Sequence, residues 1–318
     1  MKIRHAILAV AALLSPAVAS TTEVDTAVQT DRYANEPAIS ISRLSGSLTV
    51  GYDSNYVGRG IVISHSVAEG DSSEFVALKL NYDINKEGYW SLDNTILYKM
   101  VSSGHTLYGP SPYDLLGSLG LNVPYKNIEN EFAVVTGARY TTKKATVAFG
   151  HKFVHGGLLG AMAKHFRGEG ASCVNEIYLS PSYSPAPWVE AGVTVSYSFQ
   201  GIQGWWYEPY VTFKAPIIGT PEDMKMAALL TFAMSATSNY FQPEHGACAN
   251  GAQAWWIKLA TPYFVTKDLV ITPSVSFNWL GCGAQRANQV AAFKGLNADY
   301  VPFRNFGVVA GVSCTYKF

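Results

Sequence analysis

A period of two governs this sequence, and it holds to the last residue. Val308, Ala310, Val312, Cys314, Tyr316 and Phe318 share one face, opposed by Gly307, Gly311, Ser313, Thr315 and Lys317. Successive side chains of a strand point to opposite sides, so this pattern is a strand with one apolar and one polar face. Val189, Ala191, Val193, Val195, Tyr197 and Phe199 repeat it against Glu190, Gly192, Thr194, Ser196 and Ser198. Ile271, Val275, Phe277 and Trp279 repeat it again, and Leu48, Val50, Tyr52 and Tyr56 open the series. About twelve such segments follow one another, near 45–57, 74–84, 89–100, 130–140, 145–155, 175–184, 188–200, 206–216, 226–240, 254–264, 269–280 and 303–318. Those at 145–155 and 175–184 alternate less cleanly.

The apolar faces need a cover. Only 14% of the 318 residues are charged while 48% are hydrophobic, against roughly 25% charged in ordinary soluble domains. The 23 basic and 23 acidic residues balance, which leaves no basic face for a nucleic acid. A soluble sandwich would turn the apolar faces onto each other. In lipid, strands can span only as a closed ring, because no water pairs with free backbone groups. Segments of about 9–11 residues suit that span. The fold predicted is therefore all-β: a closed antiparallel up-and-down transmembrane β-barrel of about twelve strands.

Connector lengths agree with that arrangement. Asn85–Gly88, Thr141–Lys144, Ser184–Pro187 and Thr266–Asp268 are short, whereas Ser102–Glu129, Gly156–Val174, Gln242–Gln253 and Gly281–Pro302 are long. Short turns on one rim and long loops on the other are the habit of bacterial barrels. The turn from Ala215 to Lys225 is longer than this rule predicts. Aromatic residues gather at both ends of the strands: Tyr82, Trp90, Tyr140, Tyr183, Trp188, Phe213, Tyr263, Tyr316 and Phe318 near the short turns, and Tyr56, Tyr98, Phe199, Tyr207, Trp255 and Trp279 near the long loops. Two such girdles belong at the two lipid–water boundaries.

The start of the chain has a different character. Lys2 and Arg4 precede an apolar stretch from Ala6 to Leu14, followed by Ala17-Val18-Ala19. This is the pattern of a secretory signal peptide over 1–19, cleaved after Ala19, and it is too short for a spanning helix. Residues 20–42 are polar and without period, which predicts a mobile periplasmic lead-in before a barrel domain over 43–318.

The run Ser54-Asn55-Tyr56-Val57-Gly58-Arg59-Gly60-Ile61, with Asn85-Lys86-Glu87-Gly88-Tyr89-Trp90-Ser91 after the next strand, resembles the TorF-like porin family of bacterial outer-membrane proteins. The likeness covers roughly residues 45–98, and the chain departs from it at Gly58, where a bulky residue is usual. It implies an outer-membrane barrel that passes solutes.

If lipid covers the apolar face, the other face lines a lumen. The pore-lining candidates are Asp53, Arg59, Lys79, Asp83, Asp93, Lys99, Arg139, Glu190, Glu208, Lys214 and Lys258, with Lys317 beyond them. Both signs are mixed, which predicts passive, weakly selective diffusion of small hydrophilic solutes. About twelve strands predict a bore between filled eight-stranded and open sixteen-stranded barrels, narrow or plugged. Arg59, flanked by glycines, either aims its guanidinium across the pore mouth or lies on the surface in a tight turn. The expected partners are outer-membrane lipid, the solutes and a barrel-assembly machinery that reads Phe318.

Other chemistry is weakly supported. His151 and His155 share a strand face about 13 Å apart, too far for one metal ion. His65, His105, His165 and His245 fall near long loops. No catalytic set, cofactor or metal site is expected, and no G-x-S-x-G signature accompanies His65-Ser66 or His155. A disulfide between Cys248 and Cys282 is expected in an oxidising compartment, with Cys173 the rival partner. Cys314 should stay free and face lipid. Two alternatives to a channel are a surface protein whose loops, with Trp205-Trp206 and Tyr108-Gly109-Pro110, contact a partner, and an outer-membrane hydrolase.

Overall fold

The computed structural model describes residues 43–59, 61–63, 72–85, 89–102, 130–157, 173–201, 203–219, 224–239, 250–283 and 305–318. The chain forms β1 (Leu44–Asp53), β2 (Tyr56–Gly58), β3 (Ile61–Ile63), β4 (Ser72–Asp83), β5 (Trp90–Ser102), β6 (Glu131–Thr141), β7 (Ala145–His155) and β8 (Cys173–Ala186). It continues with β9 (Val189–Gln200), β10 (Gly204–Gly219), β11 (Met224–Ser238), β12 (Gly251–Ala260), β13 (Tyr263–Phe264), β14 (Leu269–Leu280) and β15 (Phe306–Lys317).

Thirteen strands form one antiparallel sheet. The two-residue β13 sits between β11 and β14 and prolongs β12, so twelve positions make up the ring. β1 pairs with β4 on one side and with β15 on the other, from Ser47↔Lys317 to Asp53↔Gly311. That second ladder closes the sheet, so no edge is left to satisfy. Phe318 extends the seam: its backbone N–H donates to the Gly46 carbonyl at 3.0 Å and its carbonyl accepts from the Gly46 N–H at 2.9 Å. The Phe318 ring lies where a Gly46 side chain would stand.

Sidedness follows from the pairing. Directly paired residues share a face, and between the rims the exposed apolar chains fall on one: Tyr52, Leu92, Ile96, Phe149, Ile177, Leu179, Phe232, Phe277 and Val308 point outward. Their neighbours Thr49, Asp93, Lys99, Glu176, Thr212 and Asn278 are buried inside the ring. Trp90 meets Tyr140 at 4.9 Å and Trp188 stacks on Phe213 at the short-turn rim, while Tyr197 meets Trp205 and Trp279 meets Phe306 at the long-loop rim.

The outer wall is not uniformly apolar. Asn94, Thr136 and His151 stand side by side across β5, β6 and β7 on the outward face. His151 Nε2 lies 2.9 Å from Asn175 Oδ1, and Asn175 Nδ2 donates to Gln200 Oε1 at 2.9 Å. These groups blur the alternation of β7 and β8, the two segments that read least cleanly.

Three expectations are corrected. The first strand does not run to residue 57: it ends at Asp53, and β2 and β3 form a separate hairpin. Tyr56 is therefore inside and not part of a girdle. The connection after Ala215 is not long, because β10 runs to Gly219 and β11 starts at Met224, with bulges at Pro216 and Ile218 absorbing the extra residues. Trp205 and Trp206 are strand residues of opposite face and not part of a contact loop; Trp206 is wholly buried.

Candidate functional site

The hairpin of β2 and β3 leaves the long-loop end of β1 and turns into the lumen. Its own ladder is three pairs, Tyr56↔Ile63, Val57↔Val62 and Gly58↔Ile61, and it joins no other sheet. Alone, so short a hairpin would not persist in water. Side chains of the wall hold it instead.

Five strands supply that grip. From β5, Lys99 Nζ donates to the Val57 carbonyl at 3.3 Å and sits 4.4 Å from the centre of the Tyr56 ring. The Tyr56 hydroxyl donates to Glu131 Oε2 on β6 at 2.6 Å. From β8, Glu176 forms an ion pair with the Arg59 guanidinium. From β10, the Trp206 ring lies 4.5 Å beneath that guanidinium. From β11, Ser235 Oγ donates to the Arg59 carbonyl at 2.9 Å. Gly157 closes against Glu131 and the Tyr56 hydroxyl at a φ of 59°, where a side chain would collide with both.

Arg59 sits at the hairpin tip with φ 50°, a left-handed conformation that costs a non-glycine residue about 1–2 kcal/mol. The buried ion pair and the cation–π contact offset that cost; a desolvated cation–π contact is worth about 2 kcal/mol. Arg59 is 3% exposed, and Glu176 and Trp206 are fully buried. Of the two sequence readings for Arg59, the surface position is excluded: the guanidinium is inside the barrel.

The other charged candidates lie on the inward face at different depths. Asp53, Lys99 and Glu208 share the long-loop half with the hairpin, and Glu208 follows Trp206 on the same face of β10, one step toward the short-turn rim. Lys258 is level with Thr231 and Ser276. Toward the short-turn rim come Lys79, Asp83, Asp93, Arg139, Glu190 and Lys214, with Lys317 opposite Ser47. There the charges pair along the wall: Arg139 Nε lies 2.8 Å from Asp93 Oδ2, and Lys214 Nζ 2.7 Å from Glu190 Oε2. Tyr210 donates to Glu190 Oε1 at 2.9 Å, its ring filling the space left by Gly192. Hydroxyl pairs such as Thr212–Thr231, 2.9 Å apart, and Thr49–Thr315, 3.0 Å apart, line the rest.

Sequence reasoning missed three members of the outer cluster. Glu131, Lys152 and Glu176 all face inward, with Lys99 paired to Glu131 and Lys152 to Glu176 across neighbouring strands. Lys152 stands in the field of Arg59, Glu176, Glu208 and Glu131. Parity with Val154 and Val174, both fully buried, is the signal that would have found Lys152 and Glu176.

The remaining expectations fall elsewhere. His151 and His155 point outward from β7, and His155 Nδ1 lies 3.2 Å from Cys173 Sγ at the rim. Among the described residues no group of His, Cys, Asp and Glu is arranged to hold a metal ion. Cys173, Cys282 and Cys314 are free thiols, Cys314 on the outward face. Cys248, the expected partner of Cys282, lies outside the described residues, as do residues 1–42, Tyr108-Gly109-Pro110, His65, His105, His165 and His245.

No family model matches the sequence, and no curated protein matches it. Among solved structures, the chain is similar to a KdgM porin at 8% identity and TM-score 0.44, over 86% of this chain and 99% of that one. It is similar to a NanC porin at 11% identity and TM-score 0.45, over 86% and 100%. It is also similar to the COG4313 outer membrane channel from Pseudomonas putida F1, at 8% identity and TM-score 0.46, over 92% and 100%.

Proposed function

We propose that this chain is an outer-membrane channel for passive diffusion of small hydrophilic solutes, narrowed by its own hairpin. The observation that carries the reading is the sidedness of the closed ring. Large apolar side chains face out between two aromatic belts, while charges and hydroxyls face in. A water-soluble protein would lose free energy by exposing so continuous an apolar wall, whereas acyl chains stabilise it. With both signs of charge paired along the wall, weak ion selectivity follows. The resemblance of Ser54–Ile61 to the TorF-like porin family supports the same reading, as does the signal-peptide pattern over 1–19 for export. Phe318, hydrogen-bonded into the closing seam, is the element an assembly machinery would read.

Planar-bilayer recordings and liposome swelling with graded sugars test this. Small, salt-dependent conductance steps and swelling limited to the smallest sugars are expected. Absence of both, for the wild type and for a chain lacking residues 54–63, would overturn the reading.

A further inference from the structure

We infer that Glu176, Trp206 and Glu208 form a binding site for cationic solutes carrying a guanidinium or ammonium group, and that Arg59 occupies it as the protein's own stand-in for such a solute. This deepens the channel reading and rests on it for the physiological role of the site.

The wall presents what a guanidinium needs. Glu176 supplies a carboxylate and Trp206 an aromatic face 4.5 Å from the Arg59 guanidinium carbon, both fully buried. A carboxylate beside an indole face, away from water, recognises a planar cation by charge, hydrogen bonding and quadrupole together. Glu208 is the second, independent sign. It is 8% exposed, and among the described residues its Oε1 has no hydrogen-bond donor. A buried carboxylate oxygen left unmade is costly unless a donor visits it. It lies one step beyond Trp206 toward the short-turn rim, within reach of the second amine of a solute whose guanidinium lies on Trp206.

The occupant is built to be replaceable. Among the described residues no backbone ladder ties the hairpin to the ring, and its tip carries the left-handed Arg59. A soluble guanidinium that takes over Glu176 and Trp206 removes the main tie at that tip. The ties that remain are the Lys99 and Ser235 bonds to backbone carbonyls, the Lys99 contact with the Tyr56 ring and the Tyr56–Glu131 hydrogen bond, polar contacts that water can replace as the hairpin departs.

The test uses the full chain, in detergent for binding and in planar bilayers for current. Arg59→Ala leaves the site vacant, and calorimetry is expected to show methylguanidinium binding to it, with urea, the neutral analogue of similar shape, silent. Glu176→Gln in the same background is expected to weaken that binding at least tenfold. Arg59→Gln serves if the alanine variant fails the heat-modifiability check for folding. In bilayers, methylguanidinium is expected to raise the open fraction of the wild type by displacing Arg59, and to lower the current of Arg59→Ala by refilling the gap. A folded Arg59 variant that binds no methylguanidinium, or binds it equally well with Glu176→Gln, overturns the inference. A variant that binds but never conducts overturns the channel reading and leaves the binding site standing.

Discussion

Tyr56 and Glu131, 75 residues apart in sequence, meet in the bore at 2.6 Å, where the phenol donates to the carboxylate. The contact ties the hairpin to β6, three strand positions around the ring from its root at β1, and Lys99 completes it from above the ring. Tyr56→Phe keeps the ring and its cation–π contact but leaves Glu131 without that donor. Stranding a buried acceptor costs about 1–3 kcal/mol, borne by the hairpin-in state alone. The ratio of open to closed time in single-channel records is expected to rise by about five- to 150-fold.

At the other end of the lumen, the charge pairs offer a test of the proposed ion selectivity. Arg139 and Asp93 neutralise each other, and both are partly exposed to the bore. Arg139→Gln leaves the carboxylate uncompensated in the lumen. The reversal potential in a potassium chloride gradient is expected to move toward the cation limit, and Asp93→Asn is expected to move it the opposite way. Both shifts should shrink at high salt, where screening shortens the reach of a fixed charge.

Asn94 stands exposed on the outer wall midway between Trp90 and Tyr98, with Thr136 directly across. Among the described residues neither side chain has a hydrogen-bond partner. An amide facing acyl chains costs about 1–3 kcal/mol. Asn94→Leu is expected to raise stability by an amount of that order, read as a higher urea midpoint for unfolding from lipid vesicles. Conductance should stay unchanged, because position 94 does not face the lumen.

Gly192 leaves the room in which the Tyr210 ring stands; a side-chain carbon there would come within 2.7 Å of it. Gly192→Val forces the ring aside, breaks the Tyr210–Glu190 hydrogen bond and overpacks the wall. A loss of about 1–3 kcal/mol is expected, seen as a lower temperature for the heat-induced gel shift.

The strand order, the closure of the ring and its sidedness were legible because one physical rule, alternation against a two-faced environment, acts on every strand. The hairpin was not. Tyr56, Val57 and Ile61 carry the same apolar character as the strand before them, and Gly58-Arg59-Gly60 reads alike for a turn in water and a turn in the bore. Only the distant partners Glu131, Glu176 and Trp206 distinguish the two, and nothing in local sequence announces contacts over so long a separation. Glu176 and Lys152 went unlisted because His151 and Asn175 put polar groups on the wrong face of the same strands.

The hairpin joins two strands, β1 and β4, that are themselves hydrogen-bonded neighbours. Nothing has to be threaded through a finished ring: the hairpin can fold back over its own root while the sheet is still open. The last zipper, β1 to β15, then seals a bore that is already occupied. A barrel assembled in this order has its hairpin inside the bore before the ring closes.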